Sequence, residues 1–166
     1  MITRYLTKNF YINTTIVFLI FVLDRFSKIY VVNLDKVNYS SELYQSKYLN
    51  ISLIWNEGIA FGLLSFNQNS LYNLLSFLIA SIVLIIFFMI IKNNNIKKYP
   101  LLMIFAGAIG NLYDRIFYKA VPDFIDFHIG EFHWFIFNVA DIFISVGVFF
   151  MILIELIDNN KTNETV

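Results

Sequence analysis

Four apolar runs, at residues 11–32, 71–91, 99–117 and 135–157, limit what this chain can fold into more than any other feature. Each is close to the roughly 20 residues that carry a helix, at 1.5 Å per residue, across about 30 Å of hydrocarbon. Lipid offers no hydrogen bonds to backbone groups, so such runs are expected to be helices. The composition agrees, since 58% of the 166 residues are hydrophobic, 14% are charged and the mean hydropathy is +0.67. The class is therefore that of an integral membrane protein. Four spans and their connections use nearly the whole chain, which predicts one membrane-embedded domain over residues 1–166. The fold class expected is an all-α membrane protein of four transmembrane helices. A small extracytoplasmic β-sheet cap is expected between helices 1 and 2, at residues 33–70, where alternating apolar residues and Gly58 and Gly62 in "YLNISLIWNEGIAFGLLSF" read as short strands and turns.

The formal net charge is zero, which gives no reason to expect a nucleic-acid partner. Cysteine is absent, so disulfides, thiolate catalysis and thiolate metal sites are excluded. His128 and His133 lie near one another without a third obvious ligand, and loop or interface histidines are the better reading. No cofactor is expected. Arg4 and Lys8 precede the first apolar run, as in a secretory signal, but the run continues through "DRFSKIYVV" without a small-residue cleavage pattern. Positive residues in short flanks set orientation. They concentrate at the amino terminus, in "KNNNIKK" (Lys92, Lys97, Lys98) and at Lys161, so both termini are expected on the cytoplasmic side.

Polar residues inside the runs carry the functional signal, because an ionisable group at membrane depth is costly and is retained for a reason. On the first helix Asp24 and Lys28 are four residues apart and share a face. On the third, Gly107, Asn111 and Asp114 form one stripe, with Arg115 four residues from Asn111; Gly107 and Gly110 permit close helix approach. On the fourth, Asn138, Asp141 and Ser145 share a face. With the outer end of each helix set by the topology, Asp24, Asp114 and Asp141 lie about 12, 5 and 9 Å below it. That is one level in the outer leaflet. The connection "YKAVPDFIDFHIGEFHW" returns along the outer surface, and Pro122 holds Asp123 on a rigid extended segment. Asp123 beside Asp141 would make two carboxyls that cannot both ionise cheaply, so that one acts as base toward a water while the other, protonated, polarises a carbonyl. Asp126 competes with Asp123 for this place.

Taken in order, "DRFSK" (24–28), "NEGIAFG" (56–62), "GAIGNLYDR" (107–115), "VPDFIDF" (121–127) and "FNVAD" (137–141) resemble the motifs of the lipoprotein signal peptidases, signal peptidase II. The resemblance covers nearly the whole chain and departs from the family chiefly at Ala106, where many relatives have glycine. It implies an aspartic endopeptidase of the bacterial inner membrane that removes signal peptides from diacylglyceryl-modified prolipoproteins, cutting before the lipidated cysteine. It implies Asp123 and Asp141 as the catalytic pair, with Asn56, Gly58, Asn111, Arg115 and Asn138 lining or bracing the substrate site. Asp24 and Lys28 are implied in positioning, and Asp114 as support for Arg115. The implied partners are the prolipoprotein, membrane lipid and the cyclic peptide antibiotic globomycin. A small proton-coupled carrier is the alternative, but the inner helix halves "SIVLIIFFMII" and "SVGVFFMILI" make a poor proton path. A subunit whose polar residues only join helices is a third reading.

Overall fold

A computed structural model describes residues 2–38, 42–58 and 69–163. The elements run α1 (Ile2–Asn38), β1 (Glu42–Gln45), β2 (Leu49–Asn56), α2 (Asn69–Lys92), α3 (Lys98–Tyr118), β3 (Val121–Ile129), β4 (Phe132–Phe137) and α4 (Val139–Asn163). Gly62, with the rest of the expected cap from 59 to 68, lies outside the described residues.

The four helices follow the four apolar runs. Two of them, over Tyr72–Lys92 and Val139–Asp158, are long and apolar enough by themselves to cross a membrane. By contrast α1 and α3 carry the buried charges Asp24, Lys28, Asp114 and Arg115, which dilute their apolar character. Large apolar side chains such as Phe18, Phe26, Phe77, Leu78, Ile85 and Phe149 point outward, while Asp24, Asp114 and Asn138 are completely enclosed. A soluble domain would reverse this arrangement.

α3 is the element on which α1, α2 and α4 all pack. Small residues make that possible. A Cβ on Gly107 would lie 2.5 Å from the Ala140 carbonyl oxygen, and one on Gly147 would lie 2.7 Å from Ile104 Cγ1, so α3 and α4 approach through glycines on both sides. Gly110 faces α1 instead, where a Cβ would meet Asp24 Oδ2 at 2.6 Å. Pro100 sits in the first turn of α3, where no intrahelical N–H is lost.

The sheet differs from the expected cap. It has four antiparallel strands in the order β1-β2-β3-β4, so half of it comes from the connection between α3 and α4. A lone β1–β2 hairpin would be marginal, and β3 supplies the pairing that completes it. The expected fourth helix also began too early: residues 135–137 belong to β4, and α4 starts at Val139. A run of aromatic and β-branched residues passing straight into a helix has no break in hydrophobicity to mark the change. Pro122 fits within β3 because β4 pairs only from Ile125 onward, leaving its side of the strand without a ladder partner there. Val31 of α1, Leu53 of β2 and Phe124 of β3 form the small core that seats the sheet on the bundle.

Candidate active site

The start of α4 brings the two candidate carboxylates together. Asn138 caps the helix: its Oδ1 accepts from the Asp141 N–H at 3.1 Å, and Asp141 Oδ2 accepts from the Asn138 N–H at 3.2 Å. This reciprocal pair is a capping box, which satisfies two amides that a helix start otherwise leaves open. The amide nitrogen of Asn138 then donates to Asp123 Oδ1 on β3. One asparagine therefore touches both carboxyls.

Two more asparagines repeat the arrangement. Asn56, at the end of β2, accepts from the Gly58 N–H at 2.9 Å and donates to Asp123 Oδ2 at 2.8 Å. Asn111, on α3, accepts from Lys28 Nζ at 2.8 Å and donates to Asp141 Oδ1 at 2.7 Å. In each case a donor occupies the amide oxygen, so the NH2 end turns toward a carboxylate. Neutral donors hold both aspartates in place without supplying a full counter-charge. Burial accordingly pushes the Asp123 carboxyl up to about 6, the nearby charge of Asp141 adds to this, and the amides of Asn56 and Asn138 offset part of it.

Behind Asn111 lies an ionic cluster. Lys28 Nζ reaches Asp24 Oδ1 at 2.9 Å and Asp114 Oδ2 at 2.7 Å, and Asp24 Oδ1 also accepts from the Ala140 N–H at 3.1 Å. Asp24 is thus level with the start of α4. The common level expected from helix counting holds, although Asp141 lies in the first turn of its helix and α1 continues well past Asp24. The support expected of Asp114 for Arg115 is not a direct hydrogen bond among the described residues, though its charge acts on Arg115. Asp114 binds Arg25 and Lys28, whereas Arg115 donates to the Gly58 carbonyl at 2.7 Å and more weakly to the Asn111 carbonyl at 3.4 Å. Arg25 is the residue that sequence reasoning missed. An i, i+4 rule found Lys28 as partner of Asp24, but the adjacent Arg25 reaches the same acid by curling back along its own helix.

Asp126 occupies another environment. Three residues from Asp123 along a strand, it bonds to His133 Nδ1 at 2.9 Å and to Asn50 at 3.5 Å. His128 meets Asn50 Oδ1 at 3.3 Å, with its ring centroid 5.0 Å from that of His133. Asp123 and Asp141 instead border a cavity of about 570 Å3 that also takes in Asn56, Asn111, Arg115 and Asn138. It continues along α4 past Ser145 and Val148 to Ile152. An extended apolar chain would fit the far end while its polar linkage meets the two carboxyls.

The family model described as signal peptidase (SPase) II matches residues 16–157. The lipoprotein signal peptidase of Pelagibacter ubique (strain HTCC1062) is 53% identical over 158 residues, covering 95% of each chain. That of Anaplasma phagocytophilum (strain HZ) is 36% identical over 155 residues, covering 92% of this chain and 96% of its own. Among solved structures, a bacterial membrane enzyme determined by the in meso method superposes with a TM-score of 0.70 at 26% identity, over 90% of both chains.

Proposed function

Since the chain belongs to the signal peptidase II family, and so acts as a lipoprotein signal peptidase of the aspartic type, we propose that Asp123 and Asp141 are the pair that performs the hydrolysis. The observation that carries this reading is the double role of Asn138, which binds Asp123 through its side chain while closing the capping box with Asp141. Two carboxyls tied to one residue share a proton in the working state. The ionised member takes a proton from water, whose oxygen attacks the scissile carbonyl carbon, while the protonated member gives its proton to the carbonyl oxygen. As the tetrahedral intermediate collapses, the now ionised acid takes back a proton from one of its hydroxyls, the C–N bond breaks and the proton held by the base goes to the leaving amine, which restores the singly protonated pair. No metal or nucleophilic side chain takes part in these steps.

The substrate is a diacylglyceryl-modified prolipoprotein, cut before the lipidated cysteine. Its apolar parts lie along the cavity toward Ile152, and Arg115, whose Nε is buried and has no hydrogen-bond partner among the described residues, takes a backbone carbonyl near the cut. Gly58 and Asn56 border the peptide, Asn111 and Asn138 orient the acids, and Asp24, Lys28 and Asp114 brace Asn111. Globomycin competes for the same cavity. All four helices span the bacterial inner membrane with both termini cytoplasmic, which sets the carboxyls near the outer leaflet beneath the sheet. Residues 1–166 act as one domain.

Cleavage of a diacylglyceryl-modified prolipoprotein by the purified protein tests this reading. Asp123→Asn and Asp141→Asn are each expected to lose roughly 10³-fold or more in turnover while remaining folded. Asp126→Asn is expected to retain activity. Full turnover by either of the first two would refute the pair.

A further inference from the structure

Arg25 is the one charged side chain of the buried cluster with no part in the reaction described above. Its guanidinium bonds both oxygens of Asp114, at 2.5 and 2.7 Å, reaches Asp24 Oδ2 at 2.7 and 3.2 Å and approaches the Gly110 carbonyl at 3.3 Å. Tyr113 covers one face of it at 4.8 Å, and only 13% of the side chain is exposed. With Lys28 on the other side, every oxygen of Asp24 and Asp114 accepts from a cation. Both acids are therefore matched by full positive charges. Asp123 and Asp141 are held instead by neutral amides, with no cation in direct contact among the described residues.

The charges of the connected site can be counted. Asp24, Asp114, Asp123 and Asp141 are four carboxylates, and Arg25, Lys28 and Arg115 are three cations. Other titratable groups on the elements facing the pair are Tyr72 of α2, a phenol, and Glu57 beyond β2, which is exposed; Asp126, His128 and His133 form their own cluster on the sheet. At membrane depth an uncompensated charge is expensive, so four negative and three positive groups favour the uptake of one proton. The open positions are on the pair.

We propose that Arg25 is a positioning residue that acts through charge: it brings the buried site to one proton short of neutrality and so holds the Asp123–Asp141 pair in its singly protonated state. This rests on the reading of those two acids as the hydrolytic pair. Lys28 and Arg115 alone would leave the site two protons short, and a doubly protonated pair has no base. Removing a unit charge a few hydrogen bonds away, at an effective dielectric constant of about 20, moves a titration by about one pH unit.

The test is the pH profile of kcat/KM on a diacylglyceryl-modified prolipoprotein peptide, normalised to folded protein, for wild type, Arg25→Gln, Arg25→Lys and the double variant Arg25→Gln/Asp114→Asn. Both limbs of the Arg25→Gln profile are expected about one unit higher than in wild type. Arg25→Lys, which keeps the charge, is expected to stay at the wild-type position. The double variant, which removes one charge of each sign, is expected to return there. An Arg25→Gln profile that superposes on wild type, or an Arg25→Lys profile displaced as far as Arg25→Gln, would overturn the proposal. Should Arg25→Gln fail to fold, the double variant decides: a displaced profile in it refutes charge counting. Asp141→Asn in the same series separates the two claims, because turnover in that variant would refute the pair itself.

Discussion

Asn138 joins a strand, a helix and both acids, so its removal tests several contacts at once. Asn138→Ala forfeits the cap, typically worth about 1 kcal/mol, and leaves Asp123 Oδ1 and the Asp141 N–H without their partner. Activity is expected to fall more than 10²-fold or so, with a lower melting temperature in detergent, because the acids lose their common tether. Asp123 carries a pH dependence of opposite sign to that of an ordinary carboxylate. Its folded value, about 6, lies above the ordinary aspartate value of 3.8, so the native state binds the proton more tightly. The associated stability, of order 3 kcal/mol, is present below about pH 4 and is lost as pH rises through 6. The melting temperature of the wild type should therefore fall from pH 5 to 7.5, and this slope should be smaller in Asp123→Asn. An equal slope in both would assign the effect elsewhere. Asp123 and Asp141 are legible in the sequence as candidates, because a carboxylate in an apolar run or beside Pro122 stands out, although Asp126 is separated from Asp123 only by its different contacts in the fold. Arg25 is not, since a cation beside an acid is indistinguishable from one that faces lipid headgroups until the helices are packed.

At the scale of elements, the α3–α4 contact decides where Asp141 sits. Gly107→Ala would drive a methyl into the Ala140 carbonyl one residue before Asp141, and backbone cannot rotate away as a side chain can. Overpacking of this kind costs about 1–3 kcal/mol. Activity is expected to fall further than stability, measured as turnover per folded molecule against melting temperature, because the start of α4 must shift relative to Asn111. The other end of α3 stores a smaller strain. Lys119 closes that helix at φ 60°, in the left-handed region that favours glycine. Lys119→Gly is expected to stabilise the protein by up to about 1 kcal/mol and to raise its melting temperature by a few degrees. A decrease would mean that the Lys119 side chain contributes more than its backbone costs. Helix number and approximate limits were legible from hydrophobic length. The β3–β4 hairpin was not, because its aromatic residues adjoin an equally apolar helix.

At the scale of the molecule, one bundle end carries the sheet and the other the lysine-rich turn between α2 and α3. The cysteine-free sequence makes this polarity measurable by single substitutions. In intact cells with a permeable outer barrier, a membrane-impermeant maleimide is expected to label Lys119→Cys, whereas Asn95→Cys should react only after lysis. The reverse pattern would invert the topology. The sequence by itself determined the membrane class and the four helices, and it singled out the buried acids as candidates, because each rests on local quantities: the length of an apolar run, the spacing along one helix and the cost of a charge in lipid. Tertiary structure alone decided which cation serves which acid, that the sheet is shared between two distant connections, and that three asparagines turn their NH2 ends toward one pair of carboxyls. Those outcomes depend on groups tens of residues apart meeting within about 3 Å, and hydrogen bonds are too short and directional for spacing along the chain to determine.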